Sequence, residues 1–417
     1  MTYRTLVQLL RCSTLRSLLP VAAAAVVAAT AVTASAATEP VSNPRILVHY
    51  DLAAGQQPEN VALEPDGNLD VTLSTAGQVE RVSPTGQRQL LATLPAPSDG
   101  GVNTPVLGFS LATGLVRTAD GTLYIGYAAG HDDLTGIWRV RPGGTPTRIV
   151  ALTAASFPNG MALDERTGNL YIADSTRETI WRVPITGGTP TVWLSGPELK
   201  RSNLLGPNGL RIHNGAIWLS NSAQGTLLRV PVDGNGRAGA VETKATGLTF
   251  PDDFTFIDHT DKIIVALNLA NEVALVQPNG SYTIVLTGAD GLEGPTAIAI
   301  REGELYVLSA AFLLKKDPNI LVADLDQEEP DTGDRSDSSS TGSGGRAGGR
   351  SVAGRARVLR PLADAGPAVS AVAAGRDLVA DCDRPADAWR RGWADHLGRQ
   401  RGLHYRPGAP ARLAGHR

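Results

Sequence analysis

Asn159-Gly-Met-Ala-Leu-Asp, Gly168-Asn-Leu-Tyr-Ile-Ala-Asp-Ser, Thr179-Ile-Trp-Arg-Val and Thr191-Val-Trp-Leu follow one another between residues 159 and 194. Each run alternates apolar and polar residues with period two, and small polar turns separate the runs, which predicts four short antiparallel strands. The unit recurs. The residue just before each first strand is Glu59, Thr113, Asn159, Asn208, Asp252 and Thr296, giving steps of 54, 46, 49, 44 and 44 residues. The second strands repeat best: Leu69-Asp-Val-Thr-Leu, Leu123-Tyr-Ile-Gly-Tyr, Leu170-Tyr-Ile-Ala-Asp, Ile217-Trp-Leu-Ser-Asn, Ile263-Ile-Val-Ala-Leu and Leu305-Tyr-Val-Leu-Ser. Four strands at this period predict an all-β, six-bladed β-propeller.

The sixth unit supplies only three strands, Ala297–Arg301, Glu304–Ala310 and Asn319–Leu325. Ile46-Leu-Val-His-Tyr lies unassigned before the first unit and is expected to close the last blade, leaving no inner edge open. The propeller is therefore expected over residues 45–325. Upstream, residues 1–36 carry Arg4, Arg11 and Arg16, no acidic residue, an apolar run from Leu18 to Val32, and Ala34-Ser35-Ala36. Basic, apolar and small residues in that order predict a secretory signal peptide, cleaved after Ala36. Residues 37–44 then read as a short linker. Residues 326–417 change character: the stretch 327–417 holds 15 Arg and no Lys, without strand alternation. Such text lacks the apolar density to offset its ordering entropy and is expected to be a disordered tail.

Composition narrows the function. The 417 residues include 46 Gly and 27 Pro, in keeping with many turns, and the formal net charge is −3. Loss of the three leader Arg would take it to −6, so nothing points to nucleic acid or an anionic membrane. Cys12 lies in the leader, which leaves Cys382 alone and rules out an internal disulfide in a mature chain. The expectation is a secreted, monomeric protein acting on a small molecule.

The six residues that precede the innermost strands ring one end of the channel that a propeller encloses. Glu59, Asn208 and Asp252, with Asn159, form an all-oxygen set suited to a hard divalent cation, Ca²⁺ first and Zn²⁺, Mg²⁺ or Mn²⁺ after it. His131, in the loop leaving the second strand of blade two, is the His expected on the same face. His213 and His259 fall at turns on the opposite face, and Trp138, Trp181, Trp193 and Trp218 occupy strand positions where they would pack between blades.

Pro58-Glu59, Pro158-Asn159-Gly160, Pro207-Asn208-Gly209 and Pro251-Asp252 resemble the senescence marker protein/gluconolactonase (regucalcin-like) propellers. The resemblance implies Glu59, Asn208 and Asp252 as metal ligands, Asp252 also as general base, and Asn159 beside substrate, with His131 as a further substrate-binding candidate. It implies a metal-dependent hydrolase of sugar lactones or related cyclic esters. Two departures stand out. Asp253 replaces the usual Gly after the Asp, and no Arg or Glu matches the family's substrate-gripping pair. A non-catalytic binding propeller with a structural metal, and a streptogramin-type lyase using His131, are the competing readings.

Overall fold

The computed structural model describes residues 40–202, 204–258 and 260–326. The expected leader and cleavage site, His259 and the stretch from 327 onward lie outside the described residues. The first strand, β1 (Val41–His49), is followed by five sheets taken in chain order. Blade one is β2 (Pro58–Leu63), β3 (Leu69–Leu73), β4 (Gln78–Val82) and β5 (Arg88–Thr93), and blade two is β6 (Leu111–Arg117), β7 (Leu123–Ala128), β8 (Gly136–Val140) and β9 (Thr147–Ala151). Blade three is β10 (Pro158–Asp164), β11 (Asn169–Asp174), β12 (Thr179–Pro184) and β13 (Thr191–Ser195). Blade four is β14 (Pro207–His213), β15 (Ala216–Asn221), β16 (Thr226–Pro231) and β17 (Glu242–Ala245). Blade five is β18 (Pro251–Phe256), β19 (Ile263–Leu267), β20 (Glu272–Val276) and β21 (Tyr282–Thr287). Blade six joins β22 (Pro295–Arg301), β23 (Glu304–Ser309) and β24 (Asn319–Leu325) to β1, in the order β1-β24-β23-β22.

The expected closure is what is found: β1 pairs antiparallel with β24, with Ile46 opposite Leu321. It starts at Val41, however, inside the stretch 37–44 read as linker. Register shifts let the strand continue past Asn43 and Pro44, and the Asn43 amide donates to Asp324 Oδ2 at 2.7 Å. A proline beside an αL residue (Asn43, φ 51°) hides a strand from any period-two reading.

The core is divided among the blade interfaces. Between blades six and one, Val48, Leu69, Val71, Leu73, Ala297, Leu308 and Ile320 are buried together. Each Val, Leu or Ile side chain among them contributes about 1.5–3 kcal/mol of burial free energy. Trp138, Trp193 and Trp218 are buried in these seams, and His213 stacks on Phe256 at 3.7 Å. No helix among the described residues is long and apolar enough to cross a membrane.

Candidate functional site

Each innermost strand opens with a register irregularity: Pro58/Asn60, Ala112/Leu115, Pro158/Met161, Pro207/Leu210, Pro251/Phe254 and Pro295/Ala297. A bulge re-aims the side chain it carries. It lies at the residues singled out above, and it is why Glu59, Asn159, Asn208 and Asp252 break the in-and-out alternation of their strands. A proline at the strand start needs no ladder donor. Its carbonyl instead accepts a side-chain bond from the neighbouring blade. Ser175 donates to Pro207 at 2.6 Å, Ser222 to Pro251 at 2.7 Å, Thr113 to Pro158 at 2.6 Å and Thr296 to Pro58 at 3.0 Å. The glycine after each Asn has a steric cause. A Cβ on Gly160 would lie 2.3 Å from the Asn208 carbonyl oxygen, and one on Gly209 would lie 2.5 Å from Asp253 Oδ1 and 2.8 Å from the Asp252 carbonyl oxygen.

Glu59, Asn208 and Asp252 line one cavity at this end of the axis, together with Asn268. All four are buried. The Asn208 amide donates to Asp252 Oδ1 at 2.7 Å and to Ser222 Oγ at 3.0 Å, which leaves its own oxygen as a free acceptor. Glu59 Oε2 is buried with no hydrogen-bond partner among the described residues. Burial, and after it the charge of Asp253, pushes the Glu59 carboxyl up to about 8. Burial also raises Asp252 well above the usual range, reinforced by Glu59 and Asp253 and opposed by the Asn208 hydrogen bond. Two desolvated carboxyls and an orphaned oxygen are the environment a hard cation relieves. The donor set fits a divalent ion such as Ca²⁺. It holds only two acidic ligands, and no group of three or more His, Cys, Asp or Glu among the described residues is arranged to hold a metal.

The other two candidates sit apart from this cavity. Asn159 is buried one blade on, its amide donating to Ser175 Oγ at 3.2 Å, and it is not among the cavity's lining residues. His131 does not line the cavity either; its Nε2 lies 2.8 Å from Asp99 Oδ1, and that contact holds the Asp99 carboxyl below its usual range.

Two features escaped the sequence. Below Asp252, Asp253 is buried across the channel: its Oδ2 accepts from Arg211 of blade four at 2.5 Å and from Asn60 of blade one at 3.1 Å. The departure from Gly at this position therefore builds a charged plug. Above the carboxyls, Leu107, Leu111, Phe157, Leu205, Phe250 and Phe312 roof the cavity. The cavity left is about 30 Å³, room for an ion or a water or two. Steps of 54 and 49 residues between repeats that elsewhere need 44 to 46 were the available signal, since the extra chain carries Leu107 and Leu205.

Solved structures share this architecture. A regucalcin of Agrobacterium tumefaciens, described as a calcium-binding protein, aligns over 69% of this chain and 97% of its own at 17% identity with a TM-score of 0.52. The two share one fold, a six-bladed β-propeller. A protein described as a putative gluconolactonase aligns over 68% of this chain and 92% of its own (16% identity, TM-score 0.48), and a streptogramin B lyase over 69% and 99% (14% identity, TM-score 0.47). At these identities the likeness is one of fold. No protein-family model and no curated protein matches the chain.

Proposed function

We propose that this six-bladed propeller is an exported, divalent-cation-dependent hydrolase of cyclic esters, acting at the axial cavity. The observation that carries the reading is the convergence of Glu59, Asn208 and Asp252 on one buried space in which Glu59 Oε2 has no partner among the described residues. The calcium binding described for the Agrobacterium protein is consistent with it. Glu59, Asp252 and the Asn208 amide oxygen would hold the cation, which supplies polarisation of the lactone carbonyl and makes two adjacent carboxylates tolerable.

The chain's own part in the reaction is proton handling. The Asp252 carboxylate, oriented by the Asn208 amide, takes a proton from the attacking water as its oxygen bonds to the carbonyl carbon. The ring C–O bond then breaks, and the departing alkoxide takes the proton from Asp252, giving a hydroxy acid. Asn159 is assigned to the substrate side, and His131 to the rim, where Asp99 holds it.

The small closed cavity favours one rival, a binding propeller in which the cation is structural. Lactone hydrolysis by the purified protein, lost with chelator and restored by Ca²⁺, supports the hydrolase. Cation binding without hydrolysis of any lactone favours the rival. The leader reading adds export with a mature N-terminus at Ala37, to be checked by N-terminal sequencing of secreted protein.

A further inference from the structure

The roof divides the cavity chemically. Glu59, Asn208 and Asp252 make the floor, and the one other polar lining residue, Asn268, spends its amide on the Gly294 and Pro295 carbonyls. The remaining six lining residues are Leu or Phe, and no cationic side chain is among them. Leu107, Leu111, Phe157, Leu205 and Phe250 belong to one apolar cluster with Phe109 and Leu204, against which Phe312 packs. A sugar lactone placed here would set its hydroxyls against hydrocarbon, with only the floor to bond them, and each buried hydroxyl left unpaired is costly. An alkyl or aryl body loses nothing in the same surroundings and gains the contact.

The roof is also where the backbone is strained. Val106, beside Leu107, has φ 68°, Phe250 has φ 54°, and Ala311, beside Phe312, has φ 52°. A β-branched residue in the left-handed region is unusual, and such strain gathers at ligand clamps and moving segments. Leu107 and Phe312 stand in the connections before β6 and after β23, which can give way without unpairing an innermost strand.

We propose that the site takes a lipophilic cyclic ester, with the ester ring on the Glu59–Asn208–Asp252 floor and an apolar body among the roof side chains, admitted when the Leu107 and Phe312 segments part. The inference rests on the hydrolase reading for its chemistry, which is unchanged: one water is consumed and one hydroxy acid released.

The test compares δ-dodecalactone with D-glucono-δ-lactone on the calcium-loaded protein, and adds calorimetric binding of 2-heptylcyclopentanone, a ring ketone that cannot be hydrolysed. The expected result is a kcat/KM for δ-dodecalactone at least tenfold above that for the sugar lactone. Phe312→Ala, at a half-buried position, should lower that preference by about tenfold, chiefly through KM. Equal or better hydrolysis of the sugar lactone overturns the inference and leaves the hydrolase reading standing. Binding of the ketone with neither lactone hydrolysed overturns the hydrolase reading and supports the apolar site. No ketone binding and no hydrolysis overturns both.

Discussion

Replacing Arg211 by Met tests whether the channel is held shut by a charge pair. Asp253 is 1% exposed, and its three hydrogen bonds come from Arg211, Asn60 and the Phe254 amide. The Arg211 side chain is 24% exposed, so solvent screens the pair little. Without Arg211 the Asp253 carboxylate keeps its burial and its carboxyl neighbours but loses its counter-charge, a loss of about 3–5 kcal/mol. At ~2.1 cal/mol/K per residue, a propeller of about 290 residues unfolds with roughly 0.6 kcal/mol/K, so Tm should fall by about 5–8 °C. Burial already raises the Asp253 carboxyl, with Arg211 the largest opposing influence. The variant can therefore recover by protonating Asp253. Its deficit should be full at pH 8 and shrink as pH falls toward 5. Adding Asp253→Asn should restore most of the loss, because both halves of the pair are then gone. Calorimetric melts of the four proteins of this cycle read the coupling. An Arg211→Met protein melting within 1 °C of wild type at pH 8, or a cycle without coupling, would refute the reasoning.

The remaining predictions concern the frame. Asp70 is pushed up to about 7, first by burial and then by its hydrogen bond to Glu64 and that group's charge, against Arg81 and Arg117. Its folded value lies above the unfolded one of about 3.9, so stability falls as pH rises from about 4 to 7 and is flat beyond. Asp70→Asn should accordingly raise Tm over wild type at pH 8 and leave it unchanged at pH 4, as thermal melts at the two pH values would show. Gly160→Ala forces a methyl to 2.3 Å from the Asn208 carbonyl and should cost about 1–3 kcal/mol in a urea titration. Removing residues 327–417 should leave Tm within about 1 °C by scanning calorimetry, since the described residues between Val41 and Leu325 already complete all six four-stranded blades.

The repeat was legible because each blade interface demands the same buried alternation, and the second strands state it almost without interruption. Glu59, Asn159, Asn208 and Asp252 could be picked out because they share one phase of that repeat, and the bulge there explains why their side chains leave the strand alternation. What escaped depends on distance in sequence. Asp253 meets Asn60 across 193 positions, and nothing local in either residue announces the other. The roof escaped because Leu107, Leu205 and Phe250 look individually like ordinary loop hydrophobics; only their convergence above the carboxyls gives them meaning. His131 was placed on the right loop by topology, but a period cannot reveal that Asp99 would hold its ring. The closing strand was found and its start missed, for Asn43 and Pro44 break the pattern that a bulge then mends.

The central claim is a cation held by Glu59, Asn208 and Asp252, and calcium titration by calorimetry addresses it without reference to substrate. Wild-type protein should bind one Ca²⁺ per chain and show a calcium-dependent rise in Tm. Asp252→Asn, which keeps the side chain's size but removes a ligand charge, should weaken that affinity by at least about tenfold while the calcium-free protein still melts cooperatively. Wild-type protein that takes up no calcium and shows no shift, or an Asp252→Asn variant that binds it as tightly, would contradict the account.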